Sequence, residues 1–158
     1  MKFKCNLISV NKINNNGYYV SREVCEEAIK KYNERENAFK DAIGGLYIGC
    51  DDTWCDSTNL INLAAKITLI ETNDNYLSIE GETIQTIAGK TLETLINSGA
   101  RLRVAIRGYF NDYDYDENFK NDLEEPTKIV KSMEIISFVT SLNEGQTKSP
   151  DFYINEIK

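Results

Sequence analysis

The chain has 158 residues, enough for one domain with a buried core. Hydrophobic residues make up 41% and charged residues 27%, which is typical of a soluble globular protein. The net charge of −7 disfavours binding to a phosphate backbone. No apolar run approaches the ~20 residues of a membrane span, and the N-terminus lacks the apolar region of a secretory signal. We therefore expect a protein made in a cytoplasm, with neither nucleic acid nor membrane as a partner.

The sequence contains no histidine, and this restricts the chemistry available to it. Histidine is the usual general base at neutral pH, so mechanisms that pair serine or cysteine with an imidazole are closed to this chain. The four cysteines, Cys5, Cys25, Cys50 and Cys55, lack the paired spacing of a zinc site. No secretory context favours disulfides. We expect reduced thiols, no metal and no cofactor.

The first half of the chain combines strand and helix patterns. Alternating apolar side chains at the start indicate a strand, and Ser21 is well placed as the N-cap of an amphipathic helix. The predicted elements are a strand over residues 2–10, a helix from Ser21 to about Asn37, a short strand over 43–48, a polar loop over 50–58 that contains Trp54, and paired strands over 60–72 and 76–85.

The second half adds a helix over residues 89–97, a strand over 101–110 and a last clear strand over 129–140. Together the elements predict an α+β fold, a mostly antiparallel sheet or barrel with two flanking helices. We divide the chain into a domain over residues 1–140 and an extended C-terminal tail over 141–158. The tail ends in the apolar triplet 152–154, which is suited either to the chain's own core or to a neighbouring subunit.

Several motifs in order resemble the prohead maturation protease family of tailed bacteriophages, whose fold is shared with herpesvirus assemblin. The resemblance runs from about Val10 to Gly145. Its parts are Asn16-Gly17-Tyr18-Tyr19, the helix from Glu23 to Tyr32, Ile84-x-Thr86-x-Ala88-Gly89-Lys90-x-Leu92 followed by Leu95-Ile96-x-x-Gly99, the strand from Leu102 to Gly108, and the segment from Met133 to Gly145.

The resemblance implies where the catalytic residues of such a protease would fall. The nucleophilic serine corresponds to Ala105, and the serine after it to Ile106. The two histidines correspond to Ile48 and Ala65. An alanine offers no nucleophile and neither replacement accepts a proton, so the resemblance implies a protease scaffold without its chemistry. We expect Ala105 and Ile106 to be apolar residues of a half-buried strand that fill a former active site.

Other residues are candidates for contact with a partner. Arg101, Arg103 and Arg107 share one strand face by period two. They form either a basic stripe that grips an acidic surface or, as we favour, a solvated face with local ion pairs. Aromatic residues are common at interfaces, and the further candidates are Trp54, Tyr113, Tyr115, Phe152 and Tyr153.

The acidic run from Asp112 to Glu117 contains D-x-D-x-D, which is similar to the first half of a calcium loop. The glycine and the final glutamate of such a loop are replaced by Glu117 and Leu123. We therefore expect a solvated acidic loop rather than a calcium site.

The leading hypothesis is a non-catalytic accessory or decoration protein of a phage head. It would bind the major capsid protein and neighbouring capsid components, belong to the virion, and be assembled in the host cytoplasm. Self-association is left open. One alternative is an active protease that uses a cysteine, or Ser98 or Ser132 with Lys66 as base. Another is a pseudoenzyme partner of an active protease.

Overall fold

The computed structural model describes residues 1–14, 17–39, 44–49, 60–120, 125–141 and 149–158. The helices are α1 (Arg22–Phe39) and α2 (Ile87–Asn97). The strands are β1 (Lys2–Ser9), β2 (Tyr18–Tyr19), β3 (Leu46–Ile48), β4 (Leu63–Thr72), β5 (Tyr76–Thr83), β6 (Arg103–Lys120), β7 (Pro126–Ser141) and β8 (Asn155–Glu156). Neither described helix is long and apolar enough to cross a membrane. The α+β prediction, a mostly β sheet with two helices, is confirmed.

Strand β7 pairs with three other strands, more than any other strand of the sheet. One of its edges pairs antiparallel with β6, from Arg103 opposite Ser141 to Lys120 opposite Pro126. Its other edge pairs in parallel with β2 near its start and with β3 near its end. From β3 the sheet continues through β4, β5 and β1, each antiparallel to the next.

The C-terminal segment joins the far side of this sheet back to β6. Strand β8 pairs with β1, and the backbone N–H of Ile154 donates to the carbonyl of Leu102 at 2.9 Å. Tyr153 forms an isolated bridge with Arg103. The C-terminal segment therefore links β1 to β6 by backbone hydrogen bonds. The described part of the predicted tail is a component of the domain's own sheet.

Helix α1 covers one face of the sheet and begins where the sequence predicts. The hydroxyl of Ser21 accepts a hydrogen bond from the N–H of Val24 at 3.3 Å, as an N-cap does. Cys25, Ala28 and Tyr32 recur at helical spacing and are buried against β7 and β4. The helix therefore supplies one wall of the core.

Helix α2 is fixed to the start of β4 by its first turn. The hydroxyl of Thr86 accepts from the N–H of Gly89 at 2.9 Å and donates to the carbonyl of Leu63 at 2.8 Å. A side chain on Gly89 would overlap the carbonyl oxygen of Ile84, so glycine is required there. The first turn of α2 is thus held by one threonine and one glycine.

Two sequence expectations change. The acidic run from Asp112 to Glu117 is the outer half of β6, paired with β7, and not a loop. Asp is rare in strands, but cross-strand pairing with the β-branched side chains of β7 overrides that preference. The predicted polar loop with Trp54 lies outside the described residues, as do Cys50 and Cys55.

We predict that Phe152→Ala destabilises the protein by about 3 to 5 kcal/mol, because this ring is 6% exposed in the sheet closure. It packs edge-on against Tyr76 with a centroid separation of 5.6 Å. The matched control is Ile157→Ala, at a side chain that is 37% exposed. Urea unfolding of both variants measures the difference. A change for Phe152→Ala no larger than that of the control would show that the closure contributes nothing to stability.

Candidate functional site

The region where the resemblance places catalytic groups is a continuous apolar row across four strands. Ile106 on β6 lies opposite Phe138 on β7, Phe138 lies beside Leu46 on β3, and Leu46 lies opposite Ala65 on β4. Directly paired residues point to the same face of a sheet, so these four side chains share one face. Phe138, Leu46 and Ala65 are fully buried.

A second row of paired side chains lies on the same face, two residues further along β6, β7 and β3. Val104 is opposite Thr140, and Thr140 is beside Ile48. The hydroxyl of Thr140 donates to the carbonyl of Arg103 at 2.7 Å, so its proton is already used in the backbone. Ile48 and Ala65 therefore lie on neighbouring strands and on the same face, as two positions of one pocket would.

Ala105 does not join them. It pairs with Val139, which lies beside Tyr47, and this row points to the opposite face of the sheet. The expectation that Ala105 fills the core is wrong, because its side chain is exposed. Ile106 does lie on the face of Ala65, but β7 and β3 separate the two by about 14 Å, three inter-strand spacings.

The face that carries Ala105 contains polar groups that the sequence did not single out. Arg107 is 4% exposed and pairs with Ser137, which is fully buried. Among the described residues, the hydroxyl of Ser137 has no hydrogen-bond partner. No sequence motif marks this serine, and no histidine exists to activate it.

The three arginines do not form a common surface. Arg101 precedes β6 and is exposed, Arg103 is half-buried, and Arg107 is buried. The guanidinium of Arg103 lies over the ring of Phe152 at 5.4 Å. The predicted solvated face is therefore wrong, and the alternative basic stripe has no continuous surface, because packing removes Arg107 from solvent.

The aromatic candidates differ in accessibility. Tyr113 and Tyr115 are exposed, whereas Phe152 is buried in the sheet closure and Tyr153 is half-buried beside it. The suggestion that Phe152 contacts a partner is therefore wrong, since its ring packs on the chain's own core. Tyr113 and Tyr115 stay candidates for a contact surface.

The described cysteines are poor nucleophiles. Cys5 and Cys25 are buried free thiols. Burial raises the pKa of Cys5 to about 12, and burial raises the pKa of Cys25 to about 11. Because the thiolate is the reactive form, neither thiol attacks at neutral pH.

The proposed Ser–Lys pairs are also poorly placed. Lys66 is exposed on β4 and contacts Glu82 at 3.4 Å. Ser132 lies six residues from Phe138 along β7, a distance of about 20 Å. Phe138 belongs to the row that ends at Ala65, next to Lys66, so Ser132 is far from the proposed base. Ser98 caps the end of α2 and donates its hydroxyl proton to the carbonyl of Leu95 at 2.8 Å.

Within the part of the chain that the structure describes, no cluster of three acidic or cysteine side chains could hold a metal ion. Asp112, Asp114 and Asp116 alternate along β6 on one face, about 7 Å apart. This spacing separates groups that a calcium loop would bring together around one ion.

The fold defined by this sheet and its two helices is that of a phage prohead protease. A solved structure with the same fold is the bacteriophage T4 capsid assembly protease, gp21. The TM-score is 0.63 at 19% sequence identity, over 87% of this chain and 80% of that chain. No family model and no curated protein sequence matches the chain.

We predict that substitution by histidine destabilises the protein to different extents at two of the positions named by the resemblance. Ala65→His should lower the free energy of unfolding by about 2 kcal/mol or more, because the ring must enter a fully packed site without a partner. Ala105→His should change it by less than about 1 kcal/mol, since that side chain is exposed. Thermal and urea unfolding measure both. Equal effects would contradict the assignment of the two alanines to opposite faces.

We predict that Cys5 and Cys25 react with an aromatic disulfide reagent at pH 8 at least about a hundredfold more slowly in the folded protein than in urea. The double variant Cys50→Ser/Cys55→Ser isolates these two thiols. In the unfolded chain the two thiols ionise near the ordinary cysteine pKa, whereas in the folded chain they stay protonated up to pH 11 to 12. Burial of the two protonated thiols therefore contributes fully to stability below the ordinary cysteine pKa, and this contribution is lost as pH rises towards 11 to 12. Rapid labelling of the folded variant would show that one of the thiols is activated.

Proposed function

We propose that the chain is a non-catalytic accessory protein of a phage head, built on the fold of a capsid maturation protease. The observation that carries the proposal is the absence of histidine from a chain with that fold. A protease that acts on a capsid precursor must bind the precursor shell. When the chemistry is absent, binding is the use that the fold retains.

The arrangement of the sheet supports this function. The face that carries Ile48 and Ala65 is filled by apolar side chains that pack tightly, and Thr140 is engaged with a backbone carbonyl. Buried apolar groups stabilise a fold without needing partners, whereas a catalytic site places polar groups together at some expense of stability. These rows therefore suit a structural protein better than an enzyme.

The partner that we propose is the major capsid protein with its neighbouring capsid components. The T4 protein that shares the fold acts in capsid assembly. A protein bound at repeated symmetry positions needs only weak affinity at each one, because many copies on one shell sum their contacts. The proposed location is the virion.

Cleavage tests the catalytic half of this proposal. We predict that the purified chain leaves the precursor capsid protein of its own phage intact over a long incubation, because it has no histidine to act as the base. Electrophoresis and intact-mass measurement detect any fragment. The control variants are Lys66→Ala and Ser137→Ala. Cleavage by the natural chain that either substitution abolishes would establish an enzyme and end the proposal.

Location tests the structural half. We predict that mature particles purified on a gradient contain this chain at a fixed ratio to the major capsid protein, and that a map of the particle places it at one class of symmetry position. The alternative of a regulatory partner predicts co-purification with an active protease in lysate and absence from particles. Finding the chain only in the soluble fraction would contradict the structural role.

A further inference from the structure

The outer half of the β6–β7 hairpin is a separate surface from the apolar rows. We define the acidic arm as Phe110–Lys120 of β6 together with 126–133 of β7. Between Asp112 and Glu125 the sequence has seven acidic residues and one lysine, a net charge of −6 against −7 for the whole chain. Within the arm itself, the carboxylates of Asp112, Asp114, Asp116 and Glu117 lie on β6, whereas two of its three lysines, Lys128 and Lys131, lie on β7, so the negative charge is concentrated on the outer strand.

The arm has an open sheet edge. Within the described residues, β7 is the one strand that pairs with β6 from Phe110 to Lys120. In an antiparallel pair, alternate residues direct their N–H and C=O groups away from the partner strand. This edge is about twice as long as a typical strand, and its unpaired backbone groups are a template for one more strand.

The two faces beside that edge differ in chemistry. One face carries Phe110, Tyr113 and Tyr115, which are 36%, 38% and 57% exposed. Tyr18 of β2 joins them, with its ring centroid 4.8 Å from that of Phe110 and 6.4 Å from that of Tyr113. The opposite face carries the carboxylates of Asp112, Asp114 and Asp116. Asp114 forms an exposed ion pair with Lys131 of β7 at 3.3 Å, which a cation of an incoming strand would share or replace.

The charges decide which strand this edge accepts. If a second copy paired antiparallel through β6 with the two rows of carboxylates overlapping on a common face, Asp would lie opposite Asp. Like charges directly opposite are destabilising. A strand with lysine or arginine at every second position would instead place a cation beside each carboxylate. Its intervening side chains would lie on the aromatic face.

We propose that the open edge of the acidic arm binds a basic, extended segment of another protein by adding it as a strand, with cations at alternate positions facing Asp112, Asp114 and Asp116. Backbone hydrogen bonds supply the affinity and the alternating charges supply the register. The proposal is independent of the proposed function, because it rests on the arm and not on the catalytic positions.

Acidic side chains also protect sheet edges from self-pairing, and an edge built only for protection would differ from this one in length and in its exposed side chains. A protected edge is also commonly kept short. Here the edge is long and is flanked by three exposed aromatic rings, which add contact area for an incoming chain. The combination of edge, rings and carboxylates fits strand addition better than protection.

The test uses a fluorescein-labelled peptide of about nine residues that alternates lysine with threonine or valine, blocked at both ends. Fluorescence anisotropy at low ionic strength measures its binding to the full chain. An isomer with the same composition has its lysines in one block. Two further peptides have the alternating sequence with N-methyl groups at every second residue, so that each has lost the N–H donors along one of its two edges. One is methylated at the odd positions and the other at the even positions. We expect binding of the alternating peptide, at least about tenfold weaker binding of the block isomer, and loss of binding for one of the two N-methylated peptides while the other retains it.

The protein variant Asp112→Asn/Asp114→Asn/Asp116→Asn should bind the alternating peptide about tenfold more weakly, since each exposed ion pair contributes a factor of a few. The matched control is Glu23→Gln/Glu27→Gln/Glu34→Gln, which removes the same charge from exposed positions on α1. The control should change the affinity by less than about threefold, because these charges lie on another element.

Three outcomes would overturn the proposal. Equal binding of all four peptides would mean attraction to net charge without strand addition. A neutralised arm that forms dimers in sedimentation, with no peptide binding by the natural chain, would mean that the carboxylates guard the edge. A natural chain that dimerises through this edge would mean that the occupant is a second copy.

Discussion

Everything else in the fold depends on the backbone pairing of β7. This strand binds β6 along one edge and both β2 and β3 along the other. A bulge at Ile136 interrupts the ladder to β6. The guanidinium of Arg35 on α1 donates to the carbonyls of Ile135 and Ile136 at 3.0 and 2.8 Å, so a side chain from the helix binds the backbone at the bulge. Opposite the bulge, a side chain on Gly108 would overlap the carbonyl oxygen of Glu134.

This bulge and a second one at Lys131 determine which side chains of β7 reach the core. A regular strand would bury every second residue of β7. The buried apolar positions are instead Val130, Met133, Ile135 and Phe138, spaced three, two and three apart. The same register places Ile106, Leu46 and Ala65 in one row and Ala105 on the other face. The acidic arm is the continuation of this ladder beyond the body of the sheet. The apolar rows and the open edge are thus two results of one pairing.

The sequence predicts local structure well here, and register poorly. The N-cap Ser21 and the helical spacing of Cys25 and Ala28 locate α1 because both signals are local. The outer half of β6 departs from the prediction although its Asp and Tyr residues alternate as in a strand, because Asp disfavours strands and pairing with β7 overrides that preference. The face of Ala105 and the burial of Phe152 depend on bulges and on contacts between residues distant in the chain. Such contacts leave no periodic signal in the sequence.

The central claim of the proposed function is that none of the side chains in the described part of the chain is activated for covalent catalysis. Its most direct test is treatment of the folded protein with a fluorophosphonate, which labels activated serines and leaves ordinary hydroxyls unmodified. Intact mass spectrometry then compares the treated and untreated chains. The account predicts an unchanged mass at every pH from 6 to about 9, the range in which an ordinary histidine base would operate. A single stoichiometric adduct, above all one that maps to Ser137 on the face of Ala105, would contradict it.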